Sequence, residues 1–421
     1  MENFEHDFSL EGKGVVGDFR FGLLHQDKRA SRTTNYKTLG DKYQDYGTQW
    51  HITFTNLWGS HNWLLDNGIK LNSLIYYRDA TVADDTIGYI DTIADKQVGY
   101  YRPNSQIGIE EKIEYTPDEN LDLLVGVNWE QETLATGFST STSSSITITP
   151  AAPTEPANTA TSLMSLFAQA QYYLSSDVSV SLGVRNDNSS SYDRVTTPRA
   201  ALIYNSGKAT SKLMVAEAFR APKPWDINNS AGSLSPEIIN STEFYWGYNL
   251  SQHSKVSSAL YHNVISDRLS QDNSGKWINS GKQIVNGLEL SWDYSKDRLN
   301  AYANYTYTDA KDQNGDRVDE IAPQTLNAAM VWPLSDSLEI DLRAQHLGKR
   351  PNPQVITTTG ESSVDSATLL HTALNWHQGD LHLQFAINNV FDENYYHTSN
   401  RPPERYRQPQ RQLMLTVRYH Y

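Results

Sequence analysis

The sequence predicts an all-β protein, an antiparallel transmembrane β-barrel of the outer-membrane type, and three observations support this fold class. Segments of alternating hydrophobicity recur along the chain and end it at residues 413–421. Short polar turns and long connections follow one another between these segments. Aromatic residues are frequent, with 25 Tyr and 10 Trp among 421 residues, and girdles of aromatic residues are typical of such barrels.

The alternating segments are the predicted strands. Successive side chains of a strand point to opposite faces, so alternation places one apolar row against lipid or core and one polar row against water. Arg418 and His420 are costly in hydrocarbon and are expected on the wet face. The apolar row of the last segment is Leu413, Leu415, Val417, Tyr419 and Tyr421. Earlier segments of this kind are 121–129, 178–185, 288–294, 338–345 and 381–388.

The connections are sorted by length. Short turns are predicted at 205–208, 251–255, 295–298 and 378–380, and long connections at 78–104, 132–162, 220–240, 309–323 and 350–365. An up-and-down barrel in the outer membrane has short periplasmic turns and long extracellular loops. A soluble β-sandwich, the main alternative for an isolated alternating segment, has no reason to sort its loops in this way.

Composition excludes several classes of protein. No run approaches the ~18 consecutive apolar residues of a membrane helix, and mean hydropathy is -0.59. The absence of Cys excludes disulfides and thiolate sites, and the net charge of -14 disfavours nucleic acid as a partner. The chain begins MENFEHDFSL, which has no pattern of an export signal. Three Tyr doublets, which start at Tyr76, Tyr172 and Tyr395, are expected in the aromatic girdles.

Several motifs in the last 250 or so residues carry a family resemblance. INNVFDENYY at 387–396 and the closing strand YRQPQRQLMLTVRYHY resemble the end of the barrel of a TonB-dependent outer-membrane receptor. The strand pair that ends in AFRAP at 218–222 and the segment LSPEIINSTEFYWGY at 234–248 resemble preceding parts of the same barrel. The occurrence of all these motifs in the order found in the family indicates the family more specifically than any single motif does.

The resemblance implies a domain organisation. We expect residues 1–421 to form the β-barrel domain, because nothing in the sequence resembles the plug domain or its TonB-contacting box. About 19 strand-like segments can be counted, where the family has 22, and bacterial single-chain barrels have an even number. The expectation is therefore a barrel portion with about 19 of 22 strands, whose plug and first strands are missing.

The resemblance also implies the function. Receptors of this family import scarce solutes such as iron siderophores, haem, cobalamin or sugars. We expect an iron–siderophore complex as the small-molecule ligand, with cobalamin or a carbohydrate as the alternatives, and we expect no enzymatic activity and no cofactor. The expected location is the outer membrane of a Gram-negative bacterium, with lipid and the barrel assembly machinery as partners, and with the TonB complex reached only through a plug. The alternatives are a plugless passive channel, a non-functional receptor fragment, or a soluble aromatic-rich protein that binds glycans.

Candidate ligand contacts lie in the long loops, namely Trp225, Trp277, Arg401, Arg405 and Tyr406. The alternative interpretation is that they are girdle aromatics and solvated loop charges. Haem is disfavoured as the ligand, because residues 223–234 lack the His that haem receptors of this family carry there.

Three apparent motifs predict no catalytic or metal site. The glycines of GKGVVG at 12–17 precede another alternating strand rather than a helix, so they indicate a tight turn. The acidic loop around Gly315 puts Ala310 and Ile321 where a calcium loop needs carboxylates. His371, His377 and His382 lack the helical spacing of a zinc motif, so they are expected to be ordinary polar strand positions.

Overall fold

The computed structural model describes residues 5–30, 48–65, 68–91, 94–352, 362–398 and 405–420. Strands dominate these ranges, and the main sheet contains 21 of them. The elements are β1 Glu5–Val16, β2 Phe19–Ala30, β3 Trp50–Leu64, β4 Ile69–Asp91, β5 Lys96–Arg102, β6 Asn104–Asp118, β7 Leu121–Ala135, β8 Ser139–Ser143, β9 Asn158–Tyr173, β10 Val178–Ser189, β11 Val195–Ser206, β12 Ala209–Arg220, α1 Pro224–Asn228, β13 Glu237–Ser251, β14 Ser254–Ser266, β15 Leu269–Gln271, β16 Trp277–Asn279, β17 Gln283–Lys296, β18 Leu299–Asp312, β19 Gln324–Pro333, β20 Leu338–Leu347, β21 Arg350–Pro351, β22 Ser363–Val364, β23 Ala367–Gln378, β24 Leu381–Asn388, β25 Tyr396–Thr398, β26 Arg405–Arg407 and β27 Gln412–Tyr419.

The main sheet is an antiparallel meander. Apart from the short strands β5 and β8, its members pair with the next strand of the meander in chain order, as in β1 with β2, β4 with β6, β14 with β17 and β24 with β27. This leaves 19 strands in the meander, which is the number that the alternating segments predict. β5 pairs with the far end of the 23-residue β4 and with β8, so these three extend the sheet beyond the other strands.

The outer face of the sheet carries a continuous apolar surface. Leu202 lies opposite Leu213, Leu213 opposite Phe244, and Phe244 opposite Leu260, so one row crosses four neighbouring strands. All four side chains are exposed to solvent. An exposed apolar surface of this extent is unfavourable in water and favourable against lipid, as the predicted alternation requires.

Aromatic side chains mark the outer face near the short turns. They are Tyr172, Tyr204, Trp246, Trp292, Trp332 and Tyr419, all exposed. This row has the position of an interfacial girdle. Tyr172 fits the girdle prediction, but Tyr76 does not, since it lies inside β4 and is 7% exposed. The alternation places Tyr76 on the inner face, because its neighbours Ile75 and Tyr77 are both exposed.

The short turns depend on residues that tolerate positive φ. Gly17, Gly207 and Gly379 have φ of 61°, 52° and 56°, and Asp297 has φ of 54°. Glycine adopts this region without a steric penalty, and Asp does so more readily than most residues. Of the glycines at 12–17, only Gly17 serves the turn, because Gly12 and Gly14 lie within β1. The predicted turn is therefore confined to the end of that motif.

Inner-face aromatic rings cover glycines on neighbouring strands. A Cβ placed at Gly108 would lie 2.3 Å from Cζ of Tyr76, and the rings of Phe167 and Tyr261 cover Gly126 and Gly287 in the same way. Such pairs protect a bare stretch of backbone and fix the register of the strands.

The meander has two edge strands within the described ranges. There β1 pairs with β2 alone and β27 pairs with β24 alone. Among the described residues, no helix is long and apolar enough to cross a membrane.

Candidate functional site

The long connections lie together at the end of the sheet opposite the short turns. Two of them, residues 221–236 and 267–282, are joined by backbone hydrogen bonds and are called the joined loops here. The N–H of Trp277 donates to the carbonyl of Asn229 at 3.0 Å, and the N–H of Ala231 donates to the carbonyl of Trp277 at 3.1 Å. The Asn279 side chain bonds both backbone groups of Ser235.

The helix α1 holds Trp225 at the surface of the joined loops. Pro224 begins the helix, where a missing N–H costs no hydrogen bond. The buried carboxylate of Asp226 accepts the N–H of Lys223 at 3.0 Å and closes the first turn. The indole of Trp225 is 43% exposed and covers Gly137 of the loop after β7, where a Cβ would lie 3.0 Å from Cζ3.

Next to Gly137, three further aromatic rings pack together. The rings of Tyr100 and Phe138 meet edge to face with centroids 5.4 Å apart, and Trp50 stacks on Tyr100 at 6.0 Å. The guanidinium of Arg102 lies 5.4 Å from the Phe138 centroid. We call Trp50, Tyr100, Phe138 and Trp225 the aromatic rim. Only Trp225 of this set is predicted from the sequence as a ligand contact, because the other three come together through the pairing of β5 with the far end of β4 and with β8.

The other predicted ligand contacts are distributed over separate parts of this end. Trp277 is partly buried within the joined loops, and its indole nitrogen is buried with no hydrogen bond to a described residue. Tyr406 is exposed in β26, opposite His397 of β25. Arg401 lies outside the described residues, and Arg405 is described for its backbone only, opposite Thr398.

A buried cation supports the hairpin of β25 and β26. Arg350 is 6% exposed and donates to the Tyr396 carbonyl at 2.7 Å and to the Gly348 carbonyl at 3.4 Å. Burial lowers the pKa of Arg350 from its ordinary value. Burial, and secondarily the charge of Arg350, lowers the pKa of His397.

The inner face of the sheet carries two polar networks. The Tyr76 hydroxyl donates to Oε1 of Glu130 at 2.5 Å, and the amide of Gln106 donates to Oε2 of Glu130 at 3.0 Å. Further along, Nε of Arg185 donates to Asp187, which is 1% exposed, at 2.9 Å. Because these charges and hydrogen bonds face the interior, the inner wall is polar, as the lumen of an outer-membrane barrel is.

The acidic loop around Gly315 is an ordinary turn. Oδ1 of Asp312 accepts the backbone N–H groups of Asn314 and Asp316 at 2.8 and 3.0 Å. Asx turns of this kind occupy the carboxylate locally. His371 has an ordinary polar contact too, at 3.3 Å from Asn388.

Comparisons with known proteins agree with this architecture. The family model described as "TonB dependent receptor-like, beta-barrel" matches residues 3–390. A search of curated protein sequences finds no match.

Solved structures of low sequence identity share the fold. The chain is similar to the FrpB iron transporter from Neisseria meningitidis, with a TM-score of 0.74, 16% identity and coverage of 99% of this chain and 71% of the transporter. It is similar to the ferripyoverdine receptor of the Pseudomonas aeruginosa outer membrane, with a TM-score of 0.75, 13% identity and coverage of 99% of this chain and 65% of that receptor. It is also similar to the siderophore receptor PirA from Acinetobacter baumannii, with a TM-score of 0.74, 15% identity and coverage of 99% of this chain and 71% of that receptor.

The ordered meander, the girdle and the polar inner wall agree with the family match, which covers most of the chain. The chain therefore belongs to the TonB-dependent receptor family, and residues 3–390 match the family's β-barrel.

Proposed function

We propose that this barrel belongs to an outer-membrane receptor that imports an iron–siderophore complex. The family match supports a transport receptor rather than an enzyme. The single observation that carries the ligand proposal is the aromatic rim at the long-loop end, with Arg102 beside it. Similarity to an iron transporter and to siderophore receptors supports the same class of ligand.

The chemistry of the rim suits an organic iron chelate. Flat aromatic faces contact the rings or aliphatic parts of a chelator, and large aromatic side chains lose little conformational entropy on binding. The guanidinium of Arg102 supplies a positive charge for the anionic oxygens that surround ferric iron. Trp225 and Phe138 are the exposed members of the rim and would make the first contacts.

Import requires a plug and an energy source. We propose that residues 1–421 act as the barrel domain around a plug domain, through which the TonB complex of the inner membrane acts on the receptor. The inner-face networks of Glu130 and Asp187 offer polar contacts for such a plug. The open edge of β1 would pair with further strands of the barrel. Reading the DNA immediately upstream of the Met1 codon would test this organisation.

The last strand would serve membrane assembly. Leu413, Leu415, Val417 and Tyr419 form an exposed apolar row on β27, and Tyr421 lies outside the described residues. We propose that this row contacts lipid and is recognised by the barrel assembly machinery of a Gram-negative outer membrane. Its period of two matches the outward rows of the preceding strands.

The ligand proposal is tested by binding of ferripyoverdine, a ferric catecholate and a ferric hydroxamate to the detergent-solubilised receptor. We expect one class of complex to quench tryptophan fluorescence with saturation. Replacing Trp225 with Ala should then weaken binding by roughly 30-fold, the effect of an aromatic hot spot worth about 2 kcal/mol.

Trp332 provides the matched control. It is 51% exposed, close to Trp225 at 43%, but it lies in the girdle beside a short turn. Trp332→Ala should leave the affinity unchanged. Equal losses in both variants, or no saturable binding of any iron complex, would contradict the proposal. A steady conductance in planar bilayers, unaffected by iron complexes, would favour the passive-channel alternative.

A further inference from the structure

Three histidines meet at the short-turn end of the inner face. His377 is the penultimate residue of β23 and lies directly opposite His382 of β24 in the strand register. The ring centroids of this pair are 5.9 Å apart with the planes 23° from parallel. His420, just after β27, places its ring 5.4 Å from that of His382 with an 86° angle between the planes.

The backbone fixes the positions of these side chains. The turn that joins β23 to β24 contains Gly379 with φ of 56°, so the two strands are held close. The N–H of His420 donates to the carbonyl of Asp380 in the same turn at 3.0 Å. Three strand ends therefore present imidazoles to one side of one turn.

The ring nitrogens of this cluster are available. Within the described part of the chain, none of the three rings makes a hydrogen bond. In contrast, His262, His346 and His371 each contact a polar side chain of a neighbouring strand, at 2.7, 2.9 and 3.3 Å. His382 and His420 are exposed and His377 is partly so, so an ion from solvent can reach them.

We propose that His377, His382 and His420 form a binding site for a late first-row divalent metal ion such as Zn²⁺. With Zn–N bonds of about 2.0–2.1 Å and tetrahedral angles, two imidazoles that share one zinc ion have ring centroids about 5 Å apart. The centroid distances of 5.9 and 5.4 Å are within about 1 Å of that value. Imidazole nitrogen is a favoured ligand for Zn²⁺, Cu²⁺ and Ni²⁺.

The site is completed by rotation of the rings. In the described ranges, no group of three or more His, Asp or Glu side chains is placed to hold a metal ion as the side chains stand, so the three rings must turn before they can bind one. The rings of exposed side chains rotate freely, and a water molecule can take the fourth position of the ion. Arg418 lies opposite His382 in the pairing of β24 with β27, and its positive charge would repel a metal ion bound there. Its long side chain can extend away from the ion into solvent.

The test is a Zn²⁺ titration of the full chain in detergent micelles by calorimetry. We expect one saturable site, no comparable heat from Mg²⁺, which prefers oxygen ligands, and a roughly tenfold or greater loss of affinity in His382→Ala. His420→Ala, at an exposed strand end, should weaken binding without affecting the fold. Co²⁺ should give the intense visible absorption of a tetrahedral ion in the unaltered chain and lose it in His382→Ala.

His253 provides the matched control, because it also lies in a short turn and its ring contacts the Ser295 carbonyl instead of another imidazole. His253→Ala should bind Zn²⁺ as the unaltered chain does. Absence of saturable Zn²⁺ binding, or equal affinity in His382→Ala and the unaltered chain, would overturn the proposal. A loss of affinity in His253→Ala as large as in His382→Ala would also overturn it, because binding would then not be specific to the cluster.

Discussion

Replacing Gly108 with Ala tests the packing of aromatic rings over glycine on the inner wall. The new Cβ would lie 2.3 Å from Cζ and 2.5 Å from the hydroxyl oxygen of Tyr76, whereas carbon contacts have an optimum of about 3.5–4.0 Å. The ring must therefore move by about 1 Å or more. Because the Tyr76 hydroxyl reaches Glu130 at 2.5 Å, a movement of this size breaks or seriously weakens that hydrogen bond.

The expected cost follows from two contributions. A hydrogen bond to a charged group contributes about 1.5–3 kcal/mol, and overpacking costs about 1–3 kcal/mol. The lower entropy of the unfolded chain after Gly→Ala offsets about 0.4–1 kcal/mol of this. The net loss in free energy of unfolding should be about 2–4 kcal/mol, since the ring can relax partly into the lumen.

The assay is equilibrium unfolding by urea in detergent or lipid vesicles, followed by tryptophan fluorescence. Gly59→Ala is the matched control, because only Ile75 Cγ2 lies near, at 3.8 Å from the added Cβ. We expect this control to be neutral or slightly stabilising. In a Tyr76→Ala background, Gly108→Ala should cost almost nothing, since the clashing ring is gone. Equal stability of the Gly108→Ala and Gly59→Ala proteins would refute the packing argument.

Three further predictions concern single side chains. Asp187→Ala should lower the free energy of unfolding in urea by about 2–3 kcal/mol, less than for a fully buried pair because the Arg185 side chain is 39% exposed. Burial lowers the pKa of His397, so the unfolded segment binds the proton first as pH falls below about 6.5 and local unfolding becomes easier. The protection factor of the amides at 389–398, which is the exchange rate corrected for its intrinsic pH dependence, should therefore fall from about pH 7.5 to about pH 5.5, and His397→Gln should remove that fall. Tyr419→Ser should lower the yield of receptor in the outer-membrane fraction, while Tyr419→Phe should not; an unchanged yield in Tyr419→Ser would contradict the role of the last strand.

The sequence predicted the sheet well because each strand lies between two different environments. In β17 the outward side chains of Leu290 and Trp292 alternate with polar inner-face residues, so the period of two is visible in the sequence. The succession of short turns and long connections was also visible in the sequence, because the length of a turn does not depend on tertiary contacts. The orientation of Tyr76 was predicted wrongly. One member of the doublet Tyr76-Tyr77 must lie on each face of the strand, and the sequence alone does not say which of the two faces inward.

The arrangement of side chains at the long-loop end was less predictable. Trp50, Tyr100 and Phe138 are separated by up to 88 positions, and their contacts depend on the extension of β4 by β5 and β8. No local pattern encodes that extension. The pairing of His377 with His382 follows from a tight turn and could be predicted, whereas the addition of His420 requires the register of β27.

The separation of short turns and long loops has a consequence for how such a protein diversifies. Insertions and deletions at the long-loop end leave the strand register untouched, because the register is fixed along the strands and by turns such as those at Gly207 and Gly379. The strands therefore keep their pairing while the two joined loops are replaced together. Grafting residues 221–236 and 267–282 together, rather than singly, would preserve the hydrogen bonds between them. Under the proposed function, recombination of the joined loops would change ligand preference while the strand register and the lipid-facing rows stay the same.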